Sequence, residues 1–359
     1  MRWRSRSLLA WLAALVAPLA LGACGTLGYL AQSVQGHLGM MRAARPVQDW
    51  LADPGTAPAL RERLLLSQRM RDFAVTDLAL PDNASYRRYA EIGRSAAVWN
   101  VVAAPELSLT LQTWCFPVVG CVGYRGYFAR DGAEALAAEL AASGLEVGVY
   151  AVPAYSTLGK LPGDFFADPL LSTFIRYPEG ELARLLFHEL AHQVAYAGGD
   201  TEFNESFATA VERLGGARWM AGHASAGARE EYALFDARRR DFKALVLGTR
   251  ERLDAIYLSG ASPPDKRAAK ALLMASPQAE HAQLKAGPWA GFAGYDAWFA
   301  KANNASLGVQ AAYNALVPAF EALFEEQGGD FVRFYAEVGR LAKLPKAERR
   351  ARLSRLMPP

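Results

Sequence analysis

Cysteine and histidine are scarce in this sequence, at 3 and 5 of 359 residues, and the scarcity narrows the chemistry on offer. Three cysteines cannot make the four-cysteine tetrad of a closed structural zinc site. Internal repeats and low-complexity tracts are missing, which argues against a solenoid and against a chain dominated by disorder. A hydrophobic content of 52% with 21% charged residues instead sits in the globular range. Excess charge is missing as well. The formal net charge is +3, and Arg2, Arg4 and Arg6 account for all of it, so the remainder is neutral and gives no reason to expect nucleic acid as a partner, which needs clustered Lys and Arg. No second long apolar run follows the one at the amino end.

That run, LLAWLAALVAPLALGA, follows the three arginines and ends at Cys24. It is short for a membrane span and is interrupted by Pro18, which favours cleavage over a retained helix. The segment LGAC, Leu21 to Cys24, resembles the lipobox of bacterial lipoproteins. The resemblance implies that residues 1–23 are a signal peptide and that Cys24 is lipidated. The protein is then tethered to a membrane of the bacterial cell envelope and faces the periplasm, inner or outer membrane being left open. An ordinary signal peptide and an uncleaved anchor are the alternatives. In that oxidising compartment Cys115 and Cys121, in TWCFPVVGCVGY, are expected to pair as a disulfide closing a small loop, whose role is to fix local shape.

Apolar residues at helical spacing predict helices over 25–45 and 56–75, broken at Asp53-Pro54-Gly55. Between 96 and 155 the pattern changes to runs rich in Val, Thr, Tyr and Trp, interrupted by the helix-like DGAEALAAELAASG, and reads as a small sheet crossed by one helix. From 178 onward the chain reads as helical, with breaks near Gly198-Gly199, Pro263-Pro264 and Gly328-Gly329-Asp330. The expectation is an α+β fold in one domain over 24–359: a helical part at 25–95, a sheet region at 96–177 and a helical part at 178–359 that carries the site. Asn83-Ala84-Ser85 and Asn304-Ala305-Ser306 match a glycosylation acceptor pattern but read as surface polar segments.

The informative stretch is ELARLLFHELAHQVAYAGGDTEFNESFATAVERLG. His188 and His192 lie four positions apart, so a helix places both imidazoles on one face, one turn from each other. Glu189, rotated by about 100° from His188, can reach a metal-bound water without itself binding the metal. Leu182, Leu185, Leu186, Leu190 and Val194 supply apolar faces, and Gly198-Gly199 predict the helix end. A hydrolytic zinc needs a third protein ligand and one open position. Glu205, thirteen positions beyond His192, is the best candidate if a second helix starts near Thr201 and returns along the first. Asp200 and Glu202 are alternatives, although Asp200 reads better as the cap of that helix.

HELAH followed by NESFA resembles the gluzincin group of zinc peptidases. More narrowly, RAARPVQDWL, LPDNASYRRYA, VWNVVAAPELSL, TWCFPVVGCVGYRGYF, VPAYSTLG, FHELAHQ, DTEFNESFAT and LVPAFEALF together resemble a family of bacterial lipoproteins described as putative aminopeptidases. The resemblance implies a zincin-like fold, with a small sheet packed on the active-site helix and a large helical carboxyl-terminal portion. It also implies one Zn2+ held by His188, His192 and Glu205, with Glu189 as general base and a peptide as substrate.

Around that centre, Asn204 and Glu212 are candidates for orienting the ligands, with helix capping an equal reading for Asn204. Tyr155, Tyr196, His223, Tyr295 and Tyr313 are candidates for stabilising an oxyanion. The segment from Val152 to Thr173 is expected to line the cleft. Asn303 and Asn304 also fall in a segment matching the resembling family. A lipoprotein scaffold with a purely structural zinc is the second reading, against which the acid at 189 speaks, and a zinc hydrolase acting on other bonds is a third.

Overall fold

The computed structural model describes residues 28–116, 120–159 and 163–357; Cys24 lies outside them. A helix over residues 28–43 (α1) comes first, followed by β1 (Arg45–Pro46), α2 (Val47–Ala52) and α3 (Pro58–Thr76). The turn between the last two is the expected one, with Asp53 Oδ1 accepting from Gly55 N at 2.9 Å. The sheet region holds β2 (Arg88–Ala90), β3 (Val98–Pro105), β4 (Trp114–Phe116), β5 (Gly120–Val122), β6 (Arg125–Tyr127), α4 (Arg130–Ala142), β7 (Leu145–Val152) and β8 (Leu170–Leu171). Helices then follow as α5 (Glu179–Ala191), α6 (Thr201–Gly222), α7 (Ala226–Leu258), α8 (Pro263–Ala286), α9 (Asp296–Phe299), α10 (Asn304–Asn314), α11 (Val317–Glu326), α12 (Phe331–Ala342) and α13 (Lys346–Ser354). The fold is α+β. No described helix is long and apolar enough to cross a membrane.

The main sheet has the order β6-β3-β7, antiparallel throughout. Its central strand is apolar over residues 101–104 because both faces are covered there, with Asn100 the one polar residue of the strand. Val101 and Ala103 pack with Ala133 and Leu140 of α4 on one side, and Val102 and Ala104 with Ala305 of α10 on the other. Strand β3 therefore lacks the in-out alternation of a half-solvated strand. A second small sheet, β1-β2-β8, joins chain segments too short to be read as strands from their sequence. The third is the hairpin β4-β5, in which Cys115 opposes Cys121 and the two form a disulfide.

Most of the buried apolar surface belongs to one cluster, in which α5 is the central element. Leu182, Ala183, Leu186, Phe187, Leu190 and Ala191 are all fully enclosed there, against residues of α3, α6, α11 and α12. A separate cluster around Phe242, Trp289 and Phe299 joins α7, α8 and α9.

Two local expectations are corrected. First, α5 ends at Ala191, not at Gly198-Gly199. His192 keeps helical backbone angles as the residue after the helix, and Gln193 N and Val194 N then bond three residues back, to Leu190 O and Ala191 O. That tightening closes the helix, and the glycines serve the turn into α6. Second, Asn304-Ala305-Ser306 is not a surface segment, since Asn304 and Ala305 are completely buried; in the other segment Asn83 is exposed as expected and only Ser85 is buried. The expected break near Pro263-Pro264 holds: α7 ends at Leu258 and the two prolines start α8, proline suiting the first turn, where its missing N–H is not needed.

Candidate metal centre

The sequence of α5 places acids, Glu179 and Glu181, in its first turn, where the helix dipole favours negative charge. It carries His188 at its last turn and His192 directly after it. The chain turns over residues 193–200 and returns as α6, whose N-cap is Asp200: its side chain accepts from Phe203 N. The two helices run antiparallel, since Glu205 faces His188 and Glu212, two turns later, faces Arg184. Gly216 permits this close approach, because a Cβ there would lie 2.8 Å from Arg184 Cγ.

His188, His192 and Glu205 converge. One ligand atom from each lies within 4.8 Å of the others, and all three residues are buried. His188 Nε2 stands 3.3 Å from Glu205 Oε2, and His192 Nε2 stands 3.6 Å from the same oxygen. The other nitrogen of His188, Nδ1, lies 2.8 Å from Glu212 Oε2. Glu212 in turn accepts from Arg184, whose Nε is 3.1 Å from Oε1. This chain, Arg184 to Glu212 to His188, leaves Nε2 of His188 as the atom that points into the site.

The electrostatics suit a cation. Burial raises the pKa of Glu205, yet the charge of His192 and the hydrogen bonds of both imidazoles outweigh it and hold the carboxyl at about 2. Burial likewise opposes ionisation of Glu212, but Arg184 and His188 depress its pKa further still. For His188, burial alone favours the neutral ring; hydrogen bonds with Glu205 and Glu212 reverse this and raise it well above the ordinary imidazole range. Glu189 behaves oppositely to Glu205. Its pKa is raised, first by burial and then by the charges of Glu205 and Asp168, against the lowering effect of the two imidazoles.

These groups form one wall of a cavity of about 340 Å3. Glu189 lines it together with both imidazoles and Glu205. The opposite walls come from the sheet (Asn100, Gly126), from Tyr124 in the link just before β6, from the loop after β7 (Tyr155, Ser156, Leu158), from α1 (Tyr29, Leu30, Ser33) and from Tyr313 of α10. The cleft-lining role expected of the Val152–Thr173 segment therefore holds for its first part. The loop is held from behind by Asp168, which accepts from Ser156 Oγ at 2.9 Å and from Thr157 N at 2.8 Å. Gln193, next to His192, donates to the same carboxylate at 3.2 Å, so loop and histidine are pinned to one buried acid.

Of the oxyanion candidates, Tyr155, Tyr196 and Tyr313 line the cavity. The Tyr313 ring lies 6.2 Å from the His188 ring, nearly parallel to it. His223 and Tyr295 do not reach the site: His223 stacks on Trp219 and meets Phe73 edge-on, and Tyr295 stacks on Phe242 in the α7–α9 cluster. Among the alternative ligands, Asp200 caps α6 and pairs with Arg349 and Arg350 of α13, and Glu202 pairs with Arg350. Asn204 clasps the turn before its helix, Oδ1 accepting from Ala197 N at 2.7 Å and Nδ2 donating to Ala197 O at 2.9 Å. Asn303 caps α10 and donates to Val147 O, while Asn304 donates to Pro105 O and Glu106 O. Both fasten α10, and with it Tyr313, to the end of the sheet.

Sequence reasoning missed Arg184, Tyr124 and the Asp168–Gln193 pair. Arg184 had a readable signal, a base one helical turn before His188 on the same face. Tyr124 had none, since its place beside the site comes from sheet geometry.

A family described as putative aminopeptidase matches residues 28–353. The chain belongs to this family. The match spans both the sheet and every helix that supplies the candidate site. No curated protein and no solved structure matches the chain significantly. As a member of a family described as aminopeptidases, the chain has peptidase action as the functional class to which its metal-capable cluster is referred.

Proposed function

We propose that the protein is a zinc-dependent peptidase of the bacterial cell envelope, tethered to a membrane through a lipid on Cys24 and facing the periplasm. In this reading His188, His192 and Glu205 hold one zinc ion and Glu189 is the general base. The observation that carries it is the convergence of the three donor atoms on the wall of a cavity that Glu189 also lines. The donor set fits: two imidazoles and one carboxylate are a hydrolytic set that leaves a fourth position open. Glu212 fits as well, because ligating histidines are normally oriented by a carboxylate on the other ring nitrogen. The antiparallel α5–α6 pair beside the β6-β3-β7 sheet supports the zincin-like reading.

Bound zinc supplies Lewis acidity, polarising the scissile carbonyl and bringing the pKa of a water toward about 7. Glu189 takes the proton of the attacking water and delivers it to the leaving amine. Its raised pKa brings it nearer the working pH, which suits a group that must act first as base and then as acid. The Tyr313 hydroxyl is held protonated, its pKa raised by burial and by Glu205. It is the donor we assign to the carbonyl oxygen as charge develops there. Amino-end removal is the finer reading that the family's description brings.

The test is hydrolysis of a mixed peptide library by the parent and by Glu189→Gln, with metal content measured for both. The parent is expected to cleave. The variant is expected to keep one zinc per chain and to lose roughly 10²- to 10⁴-fold in kcat, the usual worth of a positioned acid-base group. Zinc in both with cleavage in neither sinks the peptidase reading in favour of a zinc-stabilised scaffold. Labelled palmitate incorporated by the parent and lost in Cys24→Ala tests the tether.

A further inference from the structure

Every Asp and Glu of the sequence lies among the described residues, so the acids available to the cavity can be counted without omission. Only Glu189 and Glu205 line it. Glu205 has both imidazoles on one of its oxygens, and Glu189 is the base of the proposed reaction. Of the acids just behind the cavity, Glu212 is held by His188 and Arg184, and Asp168 is turned into the loop. Its oxygens accept from Ser156, from Thr157 N and Oγ1, and from Gln193, which leaves it committed to protein donors. What the cavity offers beyond the metal cluster carries no formal charge: the rings of Tyr29, Phe116, Tyr124, Phe128 and Tyr155, with neutral polar groups from Ser33, Asn100, Ser156 and Thr201.

A peptide's free amino end is largely an ammonium at neutral pH. Aromatic faces can attract such a cation, but fixing its position in a partly buried cleft, at the cost of its hydration, calls for a carboxylate. An enzyme that measures its cut from that ammonium therefore needs an acid to spare, and this cavity has none. An apolar side chain, in contrast, gains from burial against those rings, and a volume of about 340 Å3 is enough for one or two such side chains.

We propose that the cleft selects its substrate through a neutral aromatic subsite beside the metal cluster, without anchoring a free α-ammonium. It then accepts internal bonds and amino-terminally blocked peptides with an apolar residue as readily as free amino ends. This rests on the peptidase reading for the reaction but not for the binding, and the two separate experimentally.

The test uses the zinc-loaded Glu189→Gln chain, which binds without turnover, and calorimetric titration with three short peptides. These are a phenylalanine peptide with a free amino end, the same peptide acetylated, and the acetylated peptide with aspartate in place of phenylalanine. Acetylation is expected to change Kd by less than about threefold, and the aspartate peptide to bind at least about tenfold more weakly. A loss of about 30-fold or more on acetylation, equal binding of the aspartate peptide, or no binding of any of the three overturns the proposal. Cleavage of the two phenylalanine peptides by the parent is read separately. Equal binding without cleavage leaves the subsite standing and removes the peptidase reading.

Discussion

At the scale of single residues, the site is a set of paired charges whose partners cannot be removed one at a time. Arg184 is almost fully buried and is neutralised chiefly by Glu212, which also orients His188. Glu212→Ala is expected to lower zinc affinity by roughly 10- to 100-fold through loss of that orientation. It should also cost about 3–5 kcal/mol of stability, because a buried guanidinium loses its main counter-charge. Zinc titration with a competing chelator and urea unfolding check the two effects, and an unchanged zinc affinity would show that His188 needs no outer partner. How legible were these residues? His188 and His192 were readable from a spacing of four, and Glu205 from the distance needed for a helix to return. Glu212 follows from Glu205 by two helical turns on one face. Arg184 was readable in principle. Tyr124 was not, and Tyr313 stood unranked among five candidates, because both meet at the site only once the sheet and α10 are docked, and spacing along the chain carries no trace of that.

At the scale of elements, the disulfide hairpin supports the metal helix pair. Gly120 of β5 has φ +75°, and a Cβ on it would lie 2.7 Å from Gly199 N, in the turn that joins α5 to α6. Gly120→Ala combines a left-handed backbone with a backbone collision, and is expected to cost about 1–3 kcal/mol and to weaken zinc binding with it. Thermal unfolding with and without zinc measures both. The sequence showed the two glycines at 198 and 199 but not their purpose. They were read as the end of α5, whereas the turn after His192 closes that helix and Gly199 accommodates the hairpin instead. Helix α7 brings a second consequence. Lys243 on it is largely buried, and burial, with Arg184 adding and Glu212 opposing, holds its pKa at about 8 against an ordinary 10.5. Between those two values the unfolded chain binds a proton that the folded chain does not, so this residue makes stability rise with pH across that window. Below pH 8 both states are protonated and the full cost is present. Lys243→Met is therefore expected to stabilise the protein at pH 7, on the order of 3 kcal/mol, and to flatten the rise with pH that urea unfolding of the parent is expected to show between pH 8 and 10.5.

At the scale of the whole molecule, the helical carboxyl-terminal portion does more than enlarge the core. Asp200, which caps the helix bearing Glu205, is 1% exposed and is balanced by Arg349 Nε at 3.1 Å and Arg350 Nη2 at 2.6 Å, both from α13. Removing both bases with Arg349→Ala and Arg350→Ala is expected to cost about 3–5 kcal/mol. Adding Asp200→Asn, which keeps a capping side chain, should recover much of it. A double variant as stable as the parent in urea would mean that the cap stands alone. The coarse α+β order along the chain was legible from changes in hydrophobic period, but this tie was not, since it joins residues 149 positions apart and leaves no local pattern. It has a consequence in time. A ribosome delivers α5 and α6, with all the metal donors, while α13 is still unmade, so the emerging chain carries Asp200 as a buried-to-be charge without its counter-ions. In the zinc reading, a chain ending before α13 is then expected to bind zinc more weakly than the full chain, which titration against a chelator measures.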